Sequence, residues 1–201
     1  MYNWFRGFIQ GKTRIVTAWI FAALLVFSAR EYPSLPGILI CFAGATLRFW
    51  ASGYLRKDNR PAVGGPYAYV RNPLYLGTWL MAIGTAVAIE NWWLAGTITV
   101  LFATLYHYII LDEETKLQRI FGSPYETYCS LVPRFFPRLW PANSTLLAQV
   151  NPEPNHHRYD WPLALSKQNK AWEPHLTFLA LMAFVCCAAW AWQHLGAPTL
   201  Q

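Results

Sequence analysis

The stretch GGPYAYVRNPLYLG, residues 64–77, is a polar, glycine-rich turn that runs directly into an apolar segment. Its glycines allow backbone angles that other residues avoid, while Pro66 and Pro73 fix φ and remove a hydrogen-bond donor. Because proline is favoured in the first turn of a helix, the pattern predicts a stiff loop that ends in a helix start. A helix start has free N–H groups and a partial positive charge, so this turn is suited to a carboxylate or a phosphate.

The composition around this turn is that of a membrane protein. Of the 201 residues, 55% are hydrophobic, 17% are aromatic and 13% are charged, which does not suit the surface of a soluble domain. A helix needs about 20 residues to cross a bilayer. The segments that reach or approach this length are residues 15–29, 35–55, 74–89, 92–111 and 176–195. The sequence therefore predicts an all-α, polytopic membrane bundle of about five transmembrane helices.

The distribution of positive charge predicts how these helices are oriented. Lysine and arginine concentrate in residues 1–14, 56–71 and 112–173, whereas the opposite side of the predicted bundle carries Arg30. The positive-inside rule then places the N-terminus and these three segments in the cytoplasm, and an odd number of spans puts the C-terminus outside. The net charge of +6 is explained by this topology. We therefore expect membrane lipids as neighbours and no nucleic-acid partner.

A second group of candidate residues lies at the end of the fourth predicted span. A short turn joins the third and fourth spans, so their inner ends should lie close together. If the fourth helix continues into the cytoplasm, residues seven apart share a face, which puts His107 beneath Glu114 and Tyr106 beneath Glu113. These side chains would meet the 64–77 turn at the cytoplasmic mouth of the bundle, where a cofactor pocket is predicted.

Each of these features also has a purely structural interpretation. A glutamate pair after a span is often a solvated helix end, and His107 is more often packed and hydrogen-bonded than catalytic in such a position. Arg48, inside the second predicted span, either extends its side chain to the interface or has a functional partner in the bundle. These residues favour a functional interpretation because they converge on one mouth of the predicted bundle.

The remainder of the chain divides into a folded part and a polar part. We predict a short helix begun by Ser123, then an extended, proline-rich path with an apolar side, and a flexible stretch at residues 151–157. The predicted domains are a membrane core over residues 1–138, a cytoplasmic polar connector over 139–173, and a fifth helix with a short outer tail over 174–201. No metal-ligand spacing is present, so no metal site is predicted.

Several motifs occur together in a specific order. They are Arg71-Asn72-Pro73-Leu74-Tyr75-Leu76-Gly77, the pair Glu113-Glu114, and Phe121-Gly122, Tyr125, Tyr128 and Val132-Pro133-Arg134. In this order and spacing they resemble the isoprenylcysteine carboxyl methyltransferases and their relatives, the phospholipid N-methyltransferases. The resemblance covers residues 44–138. Asn72 stands where the family usually has histidine, as in bacterial members, so no role of that imidazole is carried over.

The resemblance implies a bacterial inner-membrane methyltransferase that uses S-adenosylmethionine, releases S-adenosylhomocysteine, and receives a lipophilic acceptor from the bilayer. The acceptor remains open among an isoprenylcysteine-type carboxylate, a lipid amine, a phenol and a thiol. The implied cofactor-binding residues are Tyr67, Arg71, Asn72, Pro73, Tyr75, Gly77, Glu113, Glu114 and Tyr125. The implied catalytic residues are Glu113, Glu114, His107 and Arg71.

The roles of these residues follow from the chemistry of the implied cofactor. Glu113 or Glu114 would hold its ammonium or ribose hydroxyls, and Arg71 or N–H groups near Pro73 would take its carboxylate. Tyrosine rings would lie near the adenine. Methyl transfer from a sulfonium needs alignment and exclusion of water, and it needs a base, such as His107 or a glutamate, only when the acceptor is protonated.

Two other functions are compatible with parts of the sequence. The sterol reductases have a similar Arg-His-Pro-x-Tyr element near a nicotinamide cofactor, but such chains are generally longer and the glutamate pair argues against this assignment. A non-catalytic membrane scaffold or transporter subunit would be expected to carry polar groups near the middle of the bilayer. The present chain collects its polar groups at one surface. The oligomeric state is not predicted.

Overall fold

The computed structural model describes residues 28–56 and 60–195, and the regular secondary structure of this part of the chain is helical, without a β-strand. The predicted all-α class is therefore confirmed. Most of the first predicted span, residues 15–29, lies outside the described residues. The α-helices are α1 (Leu35–Ser52), α2 (Pro73–Ala88), α3 (Trp92–Phe121), α4 (Ser123–Leu131), α5 (Ser144–Val150), α6 (Trp161–Leu165) and α7 (Glu173–Leu195), and the 3-10 helices are Gly65–Ala68 and Pro154–His157.

Three of the described helices, α1, α3 and α7, are long and apolar enough to cross a membrane, and α2 is an apolar helix of 16 residues. The third predicted span, residues 74–89, is thus a helix shorter than the length of about 20 residues that crosses a bilayer. Helix α3 runs for 30 residues, well past the predicted end of its span. It ends at Gly122, whose φ of 61° breaks the helical conformation. The continuous helix carries the glutamate pair away from the apolar segment on a rigid extension.

Helices α1 and α2 pack against each other in an antiparallel pair at very short distance. A Cβ atom at Gly44 would lie 2.6 Å from the carbonyl oxygen of Gly77, and one at Gly84 would lie 2.3 Å from the backbone nitrogen of Cys41. Only glycine fits at these contacts, as in other closely packed membrane helices. The pair holds the start of α2 directly beside the end of α1.

The loop before α2, the end of α3 and residues 122–172 form one end of the bundle, which we call the polar end. This end has its own hydrophobic core, built from Val63, Ala68, Tyr125, Tyr128, Val132, Ala142, Leu147 and Val150. Backbone hydrogen bonds join its two loop segments, because Ala142 donates to the carbonyl of Ala68 over 2.9 Å and Arg71 donates to that of Pro133, also over 2.9 Å. The polar end is therefore a packed structure that fixes the loop before α2.

The segment predicted to be flexible, residues 151–157, is held by hydrogen bonds in the structure. The fully buried side chain of Asn151 donates to the carbonyl of Pro61 over 2.9 Å and lies 2.8 Å from Nδ1 of His156. The Nε2 atom of His157 is 2.7 Å from the carbonyl of Asn151. The prediction of a flexible stretch is wrong because these polar residues, typical of loops, satisfy one another and a distant carbonyl.

The proline-rich segment before α5 has no helix, as predicted, but only part of its apolar side is exposed. Phe135 points inward, where its ring centre lies 5.8 Å from those of Trp79 on α2 and Phe102 on α3. Phe136 and Trp140 are exposed. Phe135 thus anchors the polar end to the helical bundle.

Candidate functional site

A cavity of about 940 Å³ lies where the polar end meets helices α1, α2, α3 and α7. One part of its wall is polar and consists of arginines, acidic residues and tyrosines from the polar end and the adjoining helix ends. Another part is apolar and consists of side chains from farther along α2 and α7. The lining residues include Arg48, Tyr67, Arg71, Asn72, Pro73, Tyr75, Met81, Ala82, Tyr106, Glu113, Tyr125, Tyr128, Glu173 and Leu181. Such a cavity can hold a polar molecule beside an oily one.

The buried carboxylate of Glu114 lies between two arginines. Its Oε1 is 3.2 Å from Nη2 of Arg71, and its Oε2 is 2.9 Å from Nη2 of Arg134. Arg134 also donates from Nε to both carboxylate oxygens, over 3.2 and 3.0 Å. This hydrogen bonding raises the pKa of Arg134 above its ordinary value. The carboxylate is thus already bound by protein groups, and it ties the loop before α2 to the segment after α4.

Arg71, in contrast, retains a hydrogen-bond donor that no described residue uses. Its side chain is 10% exposed, and its buried Nε has no hydrogen-bond partner in the described part of the chain. A buried donor without a partner costs free energy and is rare in native structures, so this nitrogen indicates a partner outside the described residues, such as a water or an ion. Arg71 lies immediately before the start of α2, where free N–H groups also favour an anion.

Asn72, at the position where the resemblance leads us to expect histidine, makes a contact to the backbone. Its Nδ2 donates to the carbonyl of Arg134 over 3.0 Å, and the residue also lines the cavity. Pro73 is buried beside it and begins α2. Asn72 therefore connects the same two segments as the Glu114 carboxylate does.

Glu113 lies on a different side of α3 from Glu114, since successive residues of a helix are about 100° apart. Its side chain is exposed toward the cavity, and its Oε2 accepts a hydrogen bond from the hydroxyl of Tyr75 over 2.7 Å. The ring of Tyr75 packs edge-on against that of Tyr106, with 5.2 Å between centres. The carboxylate of Glu113 remains accessible to a cation in the cavity.

Three buried tyrosines supply aromatic surface at the polar end. Tyr67 and Tyr125 line the cavity, and Tyr128, which also lines it, donates its hydroxyl to the carbonyl of Tyr67 over 2.8 Å. Burial raises the pKa of all three phenols well above the usual value, and the nearby charge of Glu113 adds to the effect at Tyr67. They are therefore neutral phenols at neutral pH, available for ring contacts and hydrogen bonds but unsuited to act as phenolate bases.

Three of the sequence-predicted residues do not line the cavity: Glu114, which is enclosed between its two arginines, His107 and Gly77. His107 is exposed on the outer surface of α3, with its ring 5.6 Å from that of Tyr108. It shares a face of α3 with Glu114, but only the latter is reached by residues of the polar end. Gly77 contacts α1 instead, because a Cβ there would lie 2.6 Å from Cγ of Arg48. The role of Gly77 in the structure is helix packing.

Three further residues lie at the cavity or contact a residue beside it, although the sequence did not place them in the site. Arg134 belongs to a motif that we quoted, but its contact with Glu114 crosses 20 residues and cannot be read from spacing. Glu173 lines the cavity from the start of α7, outside the resembling segment. Arg48 also lines it, and a charged residue inside a predicted span was a signal for this position.

The similarity of this chain to known proteins extends over more residues than those that line the cavity. The family model described as phospholipid methyltransferase matches residues 35–124, from the start of α1 to the start of α4. No solved structure is significantly similar to the chain.

Three curated proteins illustrate the similarity. A nickel-cobalt-cadmium resistance protein of Alcaligenes xylosoxydans xylosoxydans is 31% identical over 146 residues, which are 71% of this chain and 64% of the relative. A cobalt-zinc-cadmium resistance protein of Cupriavidus metallidurans is 30% identical, over 64% of this chain and 63% of the relative. The protein-S-isoprenylcysteine O-methyltransferase of Schizosaccharomyces pombe is 30% identical, over 47% of this chain and 40% of the relative.

The chain spans just under two thirds of the length of the two metal-resistance proteins. The resemblance predicted from the sequence is confirmed by these matches together with the family model. Over residues 35–124, the chain is similar to the phospholipid methyltransferase family.

Proposed function

We propose that this protein is an integral membrane methyltransferase that transfers a methyl group from S-adenosylmethionine to a lipophilic acceptor. The observation that carries the proposal is that one cavity combines accessible charged groups with an apolar wall on membrane-spanning helices. Its volume of about 940 Å³ is at the upper end of the range of roughly 300–1,000 Å³ typical of ligand pockets. Such a volume is compatible with a donor and part of an acceptor together.

The residues at the polar end fit the chemical groups of S-adenosylmethionine. The guanidinium of Arg71, which lines the cavity, suits the carboxylate of its amino-acid end, together with the N–H groups at the start of α2. The accessible carboxylate of Glu113 suits the ammonium or the ribose hydroxyls. The rings of Tyr67 and Tyr125 suit the adenine. When bound, the cofactor would supply an activated methyl group.

Glu114 has a different role in this proposal from that of Glu113. Because both of its carboxylate oxygens are bound by arginines, it has little capacity left for a ligand. We infer that it positions Arg71 and holds the polar end closed. Glu114 is then a positioning residue, and Glu113 is the acidic residue that contacts the cofactor.

The protein's own contribution to the reaction is alignment and exclusion of water. Arg71 and Glu113 orient the polar end of the donor, while the packed polar end and its buried tyrosines shield that part of the cavity. His107 does not line the cavity, so it does not serve as the base. Among the residues that do, Glu113 is the candidate that would accept a proton from a protonated acceptor.

We further propose that the polar end faces the cytoplasm, in the inner membrane of a bacterium. The excess of arginine and lysine in this end supports the orientation. A reporter fused to the C-terminus should be active only outside the cytoplasm, because five spans place the two termini on opposite sides. A reporter active in the cytoplasm would contradict the topology.

A titration of the purified full chain in detergent tests the cofactor directly. We expect saturable binding of S-adenosylhomocysteine by calorimetry and no saturable binding of reduced nicotinamide cofactor, since the site carries a carboxylate for an ammonium. Binding of the nicotinamide cofactor alone would favour a reductase, the second candidate. Binding of neither would favour a scaffold.

The names of the two metal-resistance relatives refer to metal ions and do not name a methyl acceptor.

A further inference from the structure

The segment after α4 carries the most exposed large apolar side chains in the described part of the polar end. Residues 136–141 are all exposed, and Phe136, Leu139 and Trp140 are exposed to 76, 91 and 77%. A patch of this kind marks a surface that meets a membrane or a partner, because apolar area in water is unfavourable. We call residues 134–140 the rim segment, and its neighbours indicate what covers it.

The beginning of the rim segment is packed against two apolar helices. The ring of Phe135 lies 5.8 Å from those of Trp79 on α2 and Phe102 on α3, measured between ring centres. Phe102 belongs to the apolar part of α3, which is long enough to cross a membrane. The rim segment therefore starts beside the membrane-spanning part of the bundle and does not extend away from it into water.

The next part of the rim segment is tied to the end of α1. The backbone N–H of Arg138 donates to the carbonyl of Tyr69 over 3.1 Å. The ring of Tyr69 in turn lies 6.3 Å from that of Trp50, an exposed residue in the last turn of α1. Tryptophan near the end of a span is typical of the boundary between bilayer and water. The rim segment thus runs along the bundle at the level of this boundary.

The charges of the rim segment are all positive. Residues 127–152 contain no aspartate or glutamate, and their charged residues are Arg134 and Arg138. Arg134 is bound to Glu114. Arg138 donates from Nη1 to a neutral group, the carbonyl of Leu131, over 2.6 Å, and none of the described carboxylates forms a salt bridge with it. Exposed aromatic rings beside an exposed arginine complement a lipid surface of negative charge.

We propose that the rim segment is a docking surface for an anionic lipid leaflet. Phe136, Leu139 and Trp140 lie between the head groups and the acyl chains, and Arg138 binds head groups of net negative charge. The membrane around α2 and α3 is the occupant because the rim segment already lies against these helices. The inference concerns a surface outside the cavity and does not depend on the proposed methyl transfer.

Docking of the rim segment also bears on the residues beside the cavity. Arg134, its first residue, is bound to Glu114, and the carbonyl of the preceding Pro133 accepts a hydrogen bond from the backbone N–H of Arg71 over 2.9 Å. A rim segment held at the membrane surface therefore limits the movement of the chain that holds Arg71. The lipid leaflet acts as an additional support of the polar end.

The test places a photoreactive amino acid with an aliphatic diazirine at position 139 of the full chain. The protein is irradiated in nanodiscs of phosphatidylcholine and phosphatidylglycerol, and the adducts are identified by mass spectrometry. We expect lipid adducts, in which the ratio of phosphatidylglycerol to phosphatidylcholine is about fivefold above the ratio in the bilayer, because an arginine near the surface attracts anionic lipid. High salt should reduce this enrichment, since it screens the charge.

Two other positions of the diazirine are controls. At position 101, where Leu101 is exposed on the apolar part of α3, we expect lipid adducts in the ratio of the bilayer. At position 119, where the exposed Arg119 lies in the last turn of the same helix, we expect adducts of water. The helix rises about 1.5 Å per residue, so Arg119 lies well beyond its apolar part.

Variants of Arg138 assign the lipid preference to this residue. With the diazirine at position 139, Arg138→Gln should keep the lipid adducts but bring the ratio of the two lipids close to that of the bilayer. Arg138→Lys keeps the charge and should keep most of the enrichment. The thermal midpoints of both variants show whether the fold is intact, and an enrichment that is unchanged in folded Arg138→Gln would remove this residue from the docking surface.

The unsubstituted Arg138 protein can overturn the proposal by itself. Adducts of water alone at position 139 would exclude docking at the membrane, and so would a crosslink between two copies of the chain. Lipid adducts in the ratio of the bilayer would exclude the preference for anionic lipid. The measurement needs no cofactor, so failure of S-adenosylhomocysteine to bind would contradict the proposed function and leave this result unaffected.

Discussion

Replacing Glu114 by glutamine should both destabilise the protein and weaken its affinity for S-adenosylhomocysteine. The carboxylate is buried and neutralises Arg71 and Arg134, so its loss leaves two guanidinium groups without an acidic partner. Breaking a fully buried ion pair costs about 3–5 kcal/mol. Because the side chain of Arg134 is 39% exposed to solvent, we expect a smaller loss of roughly 2–3 kcal/mol.

For a chain of this size, such a loss lowers the thermal midpoint by roughly 4–12 °C. The affinity should fall as well, because Arg71 loses the group that positions it. Thermal unfolding in detergent and calorimetric titration with S-adenosylhomocysteine measure the two effects on the same preparation.

Glu113→Gln is the matched control for this prediction. Glu113 is the adjacent residue, but it is exposed and bonded to a tyrosine hydroxyl, so the same change there should weaken ligand binding with little loss of stability. The double variant Glu114→Gln/Arg134→Gln should be more stable than Glu114→Gln, since it removes one uncompensated charge. A Glu114→Gln protein with unchanged midpoint and affinity would show that the two arginines do not depend on this carboxylate.

Arg71→Ala should have the opposite signature, with a large loss of affinity and a small loss of stability. The fold is largely preserved because Glu114 keeps its bonds to Arg134, which donates from both Nε and Nη2. A hydrogen bond to a charged group contributes about 1.5–3 kcal/mol, so the affinity for S-adenosylhomocysteine should fall by roughly 10- to 150-fold. Calorimetry of the wild type and the variant measures this ratio.

A second ligand shows which part of the cofactor Arg71 contacts. 5′-Methylthioadenosine lacks the amino-acid end, so the wild type should bind it more weakly than S-adenosylhomocysteine, and Arg71→Ala should lose most of that difference. Arg119→Ala, an exposed arginine in the last turn of the same helix as Glu114, serves as the control. Equal affinities of wild type and Arg71→Ala for S-adenosylhomocysteine would exclude Arg71 from the cofactor site.

Local sequence was sufficient to predict the boundaries that depend on single residues. Pro73 begins α2, and Gly122, with its positive φ, ends α3 just before the short helix α4. The apolar segments predicted α1, α2 and α7 within a few residues, and they predicted the start of α3 but not its extension to Phe121. Each of these features depends on backbone conformation or on length, which neighbouring residues in the chain determine.

The surroundings of individual side chains were not predictable in the same way. From the sequence, Glu113 and Glu114 have interchangeable roles, and the partner of Arg48 is open. The sequence also predicted residues 151–157 to be flexible, although Asn151 is buried there. In each case the deciding contact comes from a residue far away in the chain, such as Arg134 for Glu114 and Thr78 for Arg48.

The sequence by itself determined the helical membrane class, the resemblance to membrane methyltransferases and the order of the motifs, because composition, hydrophobic length and motif spacing are properties of the chain alone. Only the tertiary structure decided that Glu114 is enclosed between two arginines, that Glu113 faces the cavity and that His107 faces outward. The physical reason is that residues one position apart on a helix point about 100° apart. The packing of segments that are distant in the chain determines which of these side chains contacts a partner.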